Sequence, residues 1–118
     1  MKLYALRIFV TDFPRACAFY GGVLALPERF RDDAIGWAEY DVGGPALGIE
    51  RVAPDDPEGA ALVGRFLGLS LQIEDVDAAY AHLCASDVVF EGPPEKQPWG
   101  GMLAHFRDPD GNVLTLLG

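Results

Sequence analysis

At 118 residues the chain has room for one domain, and burying roughly two thirds of its unfolded surface requires its parts to share a core. With 18 acidic and 9 basic residues its net charge is -9, which argues against nucleic acid as a partner because nothing would neutralise a phosphate backbone. Half the residues are apolar, so disorder is not expected, and no apolar run is long enough to span a membrane. Arg7 interrupts the only N-terminal stretch that would serve as a secretion signal, and no small-residue cleavage site follows, so the expected compartment is the cytoplasm.

Residues 3–10 alternate as a strand, and Asp12 followed by Pro14 marks a helix start, because Asp accepts from orphan amides and Pro lacks one. Gly21 and Gly22 weaken the helix, which is expected to stop near Leu24. Strands follow at about 27–32, 36–43 and 46–52, the last two joined by the turn Gly43-Gly44-Pro45. Residues 53–66, with Pro54-Asp55-Asp56-Pro57-Glu58-Gly59, read as a linker. The order then repeats: strand 67–74, helix 75–86, strand 88–92, a loop from Pro93 to Trp99, and strands 101–107 and 112–117 around Asp108-Pro109-Asp110-Gly111.

The repetition extends to single residues. Leu6, Ile8 and Val10 before Asp12 match Leu69, Leu71 and Ile73 before Asp75, and Ala16, Cys17 and Tyr20 match Ala79, Tyr80 and Leu83. The expected fold is therefore α+β within one domain, residues 1–118. Two βαβββ modules in tandem, about 1–52 and 67–118, form curved mixed sheets around a cleft, with helices on the convex faces. Cys17 and Cys84 fall on apolar helix faces in separate modules and are expected as packed thiols, not a disulfide.

Four separated motifs carry a resemblance. Val10-Thr11-Asp12 leading to Phe19-Tyr20, the second start at Asp75-Val76-Asp77, Gln97-Pro98-Trp99-Gly100, and Phe106-Arg107-Asp108-Pro109-Asp110-Gly111-Asn112 together resemble the vicinal oxygen chelate superfamily. That superfamily includes glyoxalase I, extradiol dioxygenases, and the fosfomycin- and bleomycin-resistance proteins. The resemblance covers essentially the whole chain; it speaks for the fold more than for an activity, since one fold hosts several chemistries. It also implies a homodimer, because relatives cover their sheet edges by pairing modules within or between subunits.

Metal-dependent members of the family hold one divalent ion with side chains from the first and last strand of each module. The matching positions here are Ala5, Gly48, Gly68 and Thr115, none of which offers an imidazole, carboxylate or thiolate. No metal or other cofactor is therefore expected. The small residues either clear room for an organic ligand or merely let the sheets pack closely. Period-two alternation places Arg7 and Phe9 with Ala5, Ser70 and Gln72 with Gly68, and Glu50 with Gly48. The resemblance points to His105, and the same parity in the first module selects Tyr40. Trp99 is a candidate for stacking at the cleft mouth, or for plugging a joint between modules, with Trp37 a companion unless it faces the helix. Arg7 and Glu50 either anchor a ligand or pair with each other. His82 is expected at the surface.

The candidate ligand contacts are thus Arg7, Phe9, Tyr40, Glu50, Gln72, Trp99 and His105, and no catalytic residue is assigned. The leading expectation is a metal-free protein that binds a small molecule, cationic or aromatic, such as an antibiotic. One alternative is a divalent-metal-dependent lyase or dioxygenase using a displaced site at Glu50 and His105; the other is an interaction module with a vestigial cleft.

Overall fold

The computed structural model describes the whole chain, Met1–Gly118, and both modules take the expected order. In the first, β1 (Ala5–Val10) leads through Asp12 into α1 (Phe13–Cys17), which continues as a π-helical segment over Ala18–Val23. β2 (Glu28–Asp32), β3 (Trp37–Tyr40) and β4 (Ala46–Arg51) complete a sheet of order β1-β4-β3-β2. The linker carries one short helix, α2 (Pro57–Ala60), capped by Asp56. In the second module β5 (Phe66–Gln72) is followed by α3 (Val76–Ala85), β6 (Val89–Phe90), β7 (Glu95–Lys96), β8 (Met102–Arg107) and β9 (Val113–Leu117). Their sheet has the order β5-β9-β8-β6, with β7, in the segment expected to be loop, also paired to β8.

The helix starts coincide as the duplication requires. Asp12 Oδ1 accepts from the Arg15 amide at 3.2 Å and Asp75 Oδ1 from the Ala78 amide at 3.0 Å, each satisfying one of the orphan donors of a helix N-terminus. The sheets repeat in register too: β1 pairs parallel with β4, placing Arg7 opposite Gly48, and β5 pairs parallel with β9, placing Ser70 opposite Thr115. Gly68 has a backbone reason to be glycine besides any space it clears. Its φ of +69° accommodates the register shift between Phe66 and Ser70, a backbone conformation that favours glycine.

One core serves both modules. Ile8, Val10, Leu47 and Ile49 from the first sheet join Phe13, Phe19 and Tyr20 from the first helical segment and Ala104, Phe106, Leu114 and Leu116 from the second sheet. Cys17 is buried there, but Cys84 is exposed, outside the apolar face it was expected to occupy, and both thiols are free.

The Asp-Pro-Asp-Gly-Asn turn fastens the two modules together. Asp108 accepts from the Tyr20 hydroxyl at 2.7 Å and from the Asn112 side-chain amide at 2.9 Å. Fully buried Asn112 also donates to the Phe9 carbonyl at 2.9 Å and accepts from the Gly64 amide at 2.8 Å, and Asp110 accepts from the Thr11 amide. Burial pushes the Asp108 carboxyl up and the Tyr20 hydroxyl well up, while the hydrogen bonds from Asn112 and Tyr20 pull the carboxyl back. Replacing Asn112 by Ala leaves a carbonyl, an amide and a carboxylate short of a partner inside the protein. At roughly 1–3 kcal/mol for each stranded group, Asn112→Ala should lose about 3 kcal/mol or more of unfolding free energy in a urea titration.

Candidate functional site

Each sheet has a core face and a polar face, and the register decides which side chains share them. In the first sheet Arg7 opposes Gly48, Gly48 opposes Glu39, and Glu50 opposes Trp37, so these side chains lie together on the face away from the core. Ala5 and Phe9 follow by alternation, and Phe30, opposite Glu39, extends the face onto β2. In the second sheet Ser70, Thr115 and His105 occupy the corresponding face.

Tyr40 does not belong to this set. It is 1% exposed on the core face, and its hydroxyl donates to the Cys17 carbonyl at 3.4 Å. Its ring lies against Gly21 so closely that a Cβ there would be 3.1 Å from Cε1. Burial, followed by the contact with Cys17, pushes the Tyr40 hydroxyl further up. The sequence parity was displaced by one: the first-module counterpart of His105 is Glu39, because Glu39 opposes Gly48 as His105 opposes Thr115. A slip of one residue exchanges the two faces of a strand.

Glu39 is the functional candidate that sequence reasoning missed. The residue is 8% exposed, and its carboxylate accepts from the Tyr4 hydroxyl at 2.9 and 2.8 Å and from Trp37 Nε1 at 2.8 Å. Those hydrogen bonds, that of Trp37 first, hold its carboxyl below the ordinary glutamate range. The indole of Trp37 lies over Gly48, where a Cβ would overlap the ring. Glycine therefore clears the space, as one reading of the sequence had it, but an indole of the chain itself takes that space.

The remaining predicted contacts are divided between the sheets. Arg7 forms a two-bond ion pair with Glu50, Nε to Oε1 at 2.9 Å and Nη2 to Oε2 at 3.1 Å, and its guanidinium stands 5.1 Å from the centre of the Phe9 ring. His105 Nδ1 is 2.8 Å from the Thr115 hydroxyl, and its ring meets Phe66 edge-on. Glu50 and His105 are thus engaged separately, on different sheets. Trp99 is 63% exposed, folded over Gly101. His82 is exposed, as expected.

The residues at the family's metal positions do not fit a metal. Gly48 is covered by an indole, Gly68 serves a strand irregularity, Ala5 has no donor, and the Thr115 hydroxyl is occupied by His105. Nowhere do three or more His, Cys, Asp or Glu side chains come together as a metal site. A groove of about 1170 Å³ is bordered mainly by apolar side chains, among them Leu6, Leu47, Leu69, Leu71, Leu83 and Leu116. Arg7 and Gln72 reach it, but Phe9, Glu50, His105 and Trp99 do not. The expected cleft between the two polar faces is not enclosed within a single chain, because both sheets turn their opposite faces toward the shared core.

Two βαβββ modules with paired, register-matched sheets and an inter-module Asp-Pro-Asp-Gly-Asn turn define a glyoxalase-like α+β fold. Residues 2–116 match the Glyoxalase/Bleomycin resistance protein/Dioxygenase superfamily, and the chain belongs to it. It is 32% identical to the uncharacterized protein YraH of Bacillus subtilis strain 168, over 98% of this chain and 97% of that one. A crystal structure of a superfamily member from Sphaerobacter thermophilus DSM 20745 superposes with a TM-score of 0.81 at 30% identity, covering 99% of this chain and 96% of the other. Lactoylglutathione lyase from Agrobacterium tumefaciens shares the fold at a TM-score of 0.77 and 21% identity, with 97% of this chain and 90% of that chain covered. No helix is long and apolar enough to cross a membrane.

The folded pKa of Glu39 lies below its unfolded value, so Glu39 contributes stability above the ordinary glutamate pKa, and that contribution is lost as pH falls through the lowered one. Tyr4→Phe removes one donor and should let the pKa rise toward the ordinary value, narrowing that window. A carbon-13 NMR titration of the Glu39 carboxyl in both proteins measures this directly.

Proposed function

We propose that this chain is a small-molecule-binding member of the superfamily that takes a cationic or aromatic compound, of the kind an antibiotic offers, without using a metal. The observation that carries the reading is the exchange at Gly48: where metal-dependent relatives carry a ligand, this chain packs the indole of Trp37 against the backbone and sets the Glu39 carboxylate beside it. An aromatic surface beside an anion suits binding an organic molecule better than polarising an oxygen. The absence of any grouping of metal-binding side chains and the separate engagement of Glu50 and His105 support the same reading over a lyase or dioxygenase with a displaced metal.

The reading includes a homodimer. β1 and β5, the equivalent first strands of the two modules, each end a sheet with one edge unpaired. Leu6 on β1 and Phe66 on β5, with Ile73 just beyond, are exposed large apolar side chains. Pairing β1 of one copy with β5 of a second, and the reverse across a twofold axis, would cover both edges and bring the polar face of one copy's first sheet toward the second sheet of the other. Sedimentation at micromolar concentration should give a dimer; a monomer would count against enclosure of the site by a second copy.

Metal analysis decides between binding protein and enzyme. Protein purified without chelator should contain well under one equivalent of Zn, Ni, Fe or Mn, because no set of three strong ligands exists to hold one. Stoichiometric metal that disappears in Glu50→Gln or His105→Ala would turn the assignment to a metal-dependent enzyme.

A further inference from the structure

Glu39 has little exposed surface and no ion-pair partner; the cation whose charge reaches it, Arg29, is paired with Asp41 and is the weakest of the influences on its carboxyl. The ion pairs of the molecule are Arg7 with Glu50, Arg29 with Asp41, Arg31 with Asp33 and Arg107 with Glu91; none involves Glu39. Both of its hydrogen-bonding partners, the Tyr4 hydroxyl and Trp37 Nε1, are neutral. Two neutral donors and a guanidinium already committed to Asp41 leave the carboxylate free to attract a closer positive charge.

The surroundings of Glu39 are aromatic. Tyr4 reaches it from the segment before β1, Trp37 lies two residues before it on the same face of β3, and Phe30 is its cross-strand partner on β2. Tyr4 and Phe30 are 66% and 47% exposed, so their rings are open to a ligand beside the carboxylate. Aromatic faces carry partial negative charge, so rings around a carboxylate attract a cation whose own surface is apolar, and one that is weakly hydrated loses little on leaving water. A bare divalent ion is poorly served, because one carboxylate and three rings leave most of its coordination positions to water.

We propose that Glu39, Tyr4, Trp37 and Phe30 form a subsite for an alkylated ammonium group, the quaternary ammonium headgroup being the best fit. This rests on the binding-protein reading above and names the charged part of the ligand that the site would take. Trp37 presents its ring to the alkyl groups, Glu39 supplies the opposite charge from behind, and Tyr4 and Phe30 close the sides. Tyr4 and Trp37 are positioning residues as well, since their donors fix the carboxylate that the cation meets.

The pair choline and 3,3-dimethylbutan-1-ol tests this, because the two have the same shape and differ in charge. The readout is the indole N–H resonance of Trp37 in a nitrogen-15 correlation spectrum, assigned with Trp99→Phe, since that N–H donates to Glu39. Choline should shift the resonance saturably, and the neutral alcohol should bind at least tenfold more weakly. Glu39→Gln should weaken choline at least tenfold, whereas Glu58→Gln, the same change of charge on α2, should leave its affinity within twofold. Thermal unfolding of each variant checks the fold, and should Glu39→Gln fail to fold, Phe30→Leu with its expected loss of choline affinity replaces it.

Equal binding of alcohol and choline, or no effect of Glu39→Gln in a folded protein, would overturn the cation subsite. A panel of neutral and anionic aromatic compounds in the same titration separates the two levels of the argument. If those shift the Trp37 resonance and choline does not, the subsite falls and the binding-protein reading stands. If nothing shifts it and the protein carries stoichiometric metal, both fall.

Discussion

The arrangement of the molecule depends on one buried polar cluster, the hydrogen bonds that Asp108 and Asn112 make between the modules. Asn112 is wholly buried, and its side chain holds the carbonyl of Phe9, the amide of Gly64 and the carboxylate of Asp108 at once. Apolar packing alone specifies a relative orientation of two sheets loosely, since many arrangements bury similar areas. A buried polar group that finds all its partners in one arrangement only, and strands them in every other, adds the missing selectivity. The Asp-Pro-Asp-Gly-Asn turn, one of the motifs by which the sequence resembles its family, thus fastens the halves together.

That fastening has a consequence for where a ligand can go. Because Tyr20, Phe19 and the core faces of both sheets meet around it, the polar faces point away from the common core. Arg7, Glu39 and Glu50 are therefore presented by one sheet, and His105 and Thr115 by the other. The intramolecular groove that remains is lined mostly by leucines, with Arg7, Ser70 and Gln72 also on its wall. Convergence of the two polar faces on one ligand would have to come from a second chain, which links assembly to binding.

Much of the fold was legible in the sequence because the duplication supplied two readings of every element. Asp12 and Asp75 mark equivalent helix starts through local chemistry, and alternation in β1 separates buried Ile8 and Val10 from exposed Arg7, although Leu6 is exposed as well. The site was less legible, for reasons that differ by residue. Tyr40 was placed on the wrong face because parity was carried from β8 to β3 without the ladder register; alignment through Gly48 and Thr115 would have selected Glu39. The role of Gly48 depends on the ring of Trp37 from the neighbouring strand, a contact that no local pattern encodes. Gly68 required a backbone angle, and a glycine in a strand is compatible with a bulge as well as with a cleared site.

The acidic balance of the chain takes on a narrower meaning once the carboxylates are placed. Exposed acids such as Asp33 and Asp55 contribute to a net charge of -9 that draws cations toward the surface, but at physiological salt such charges are screened over about 8 Å and distinguish little among cations. Glu39 differs in kind: the residue has little exposed surface, and the orientation of its carboxylate is fixed by Tyr4 and Trp37. A charge held rigidly under an aromatic surface favours a cation with an apolar exterior over a hydrated one, because only the former gains from both the rings and the carboxylate. The surface charge of the chain can therefore bring a ligand near, while selection falls to a single carboxylate and the rings around it.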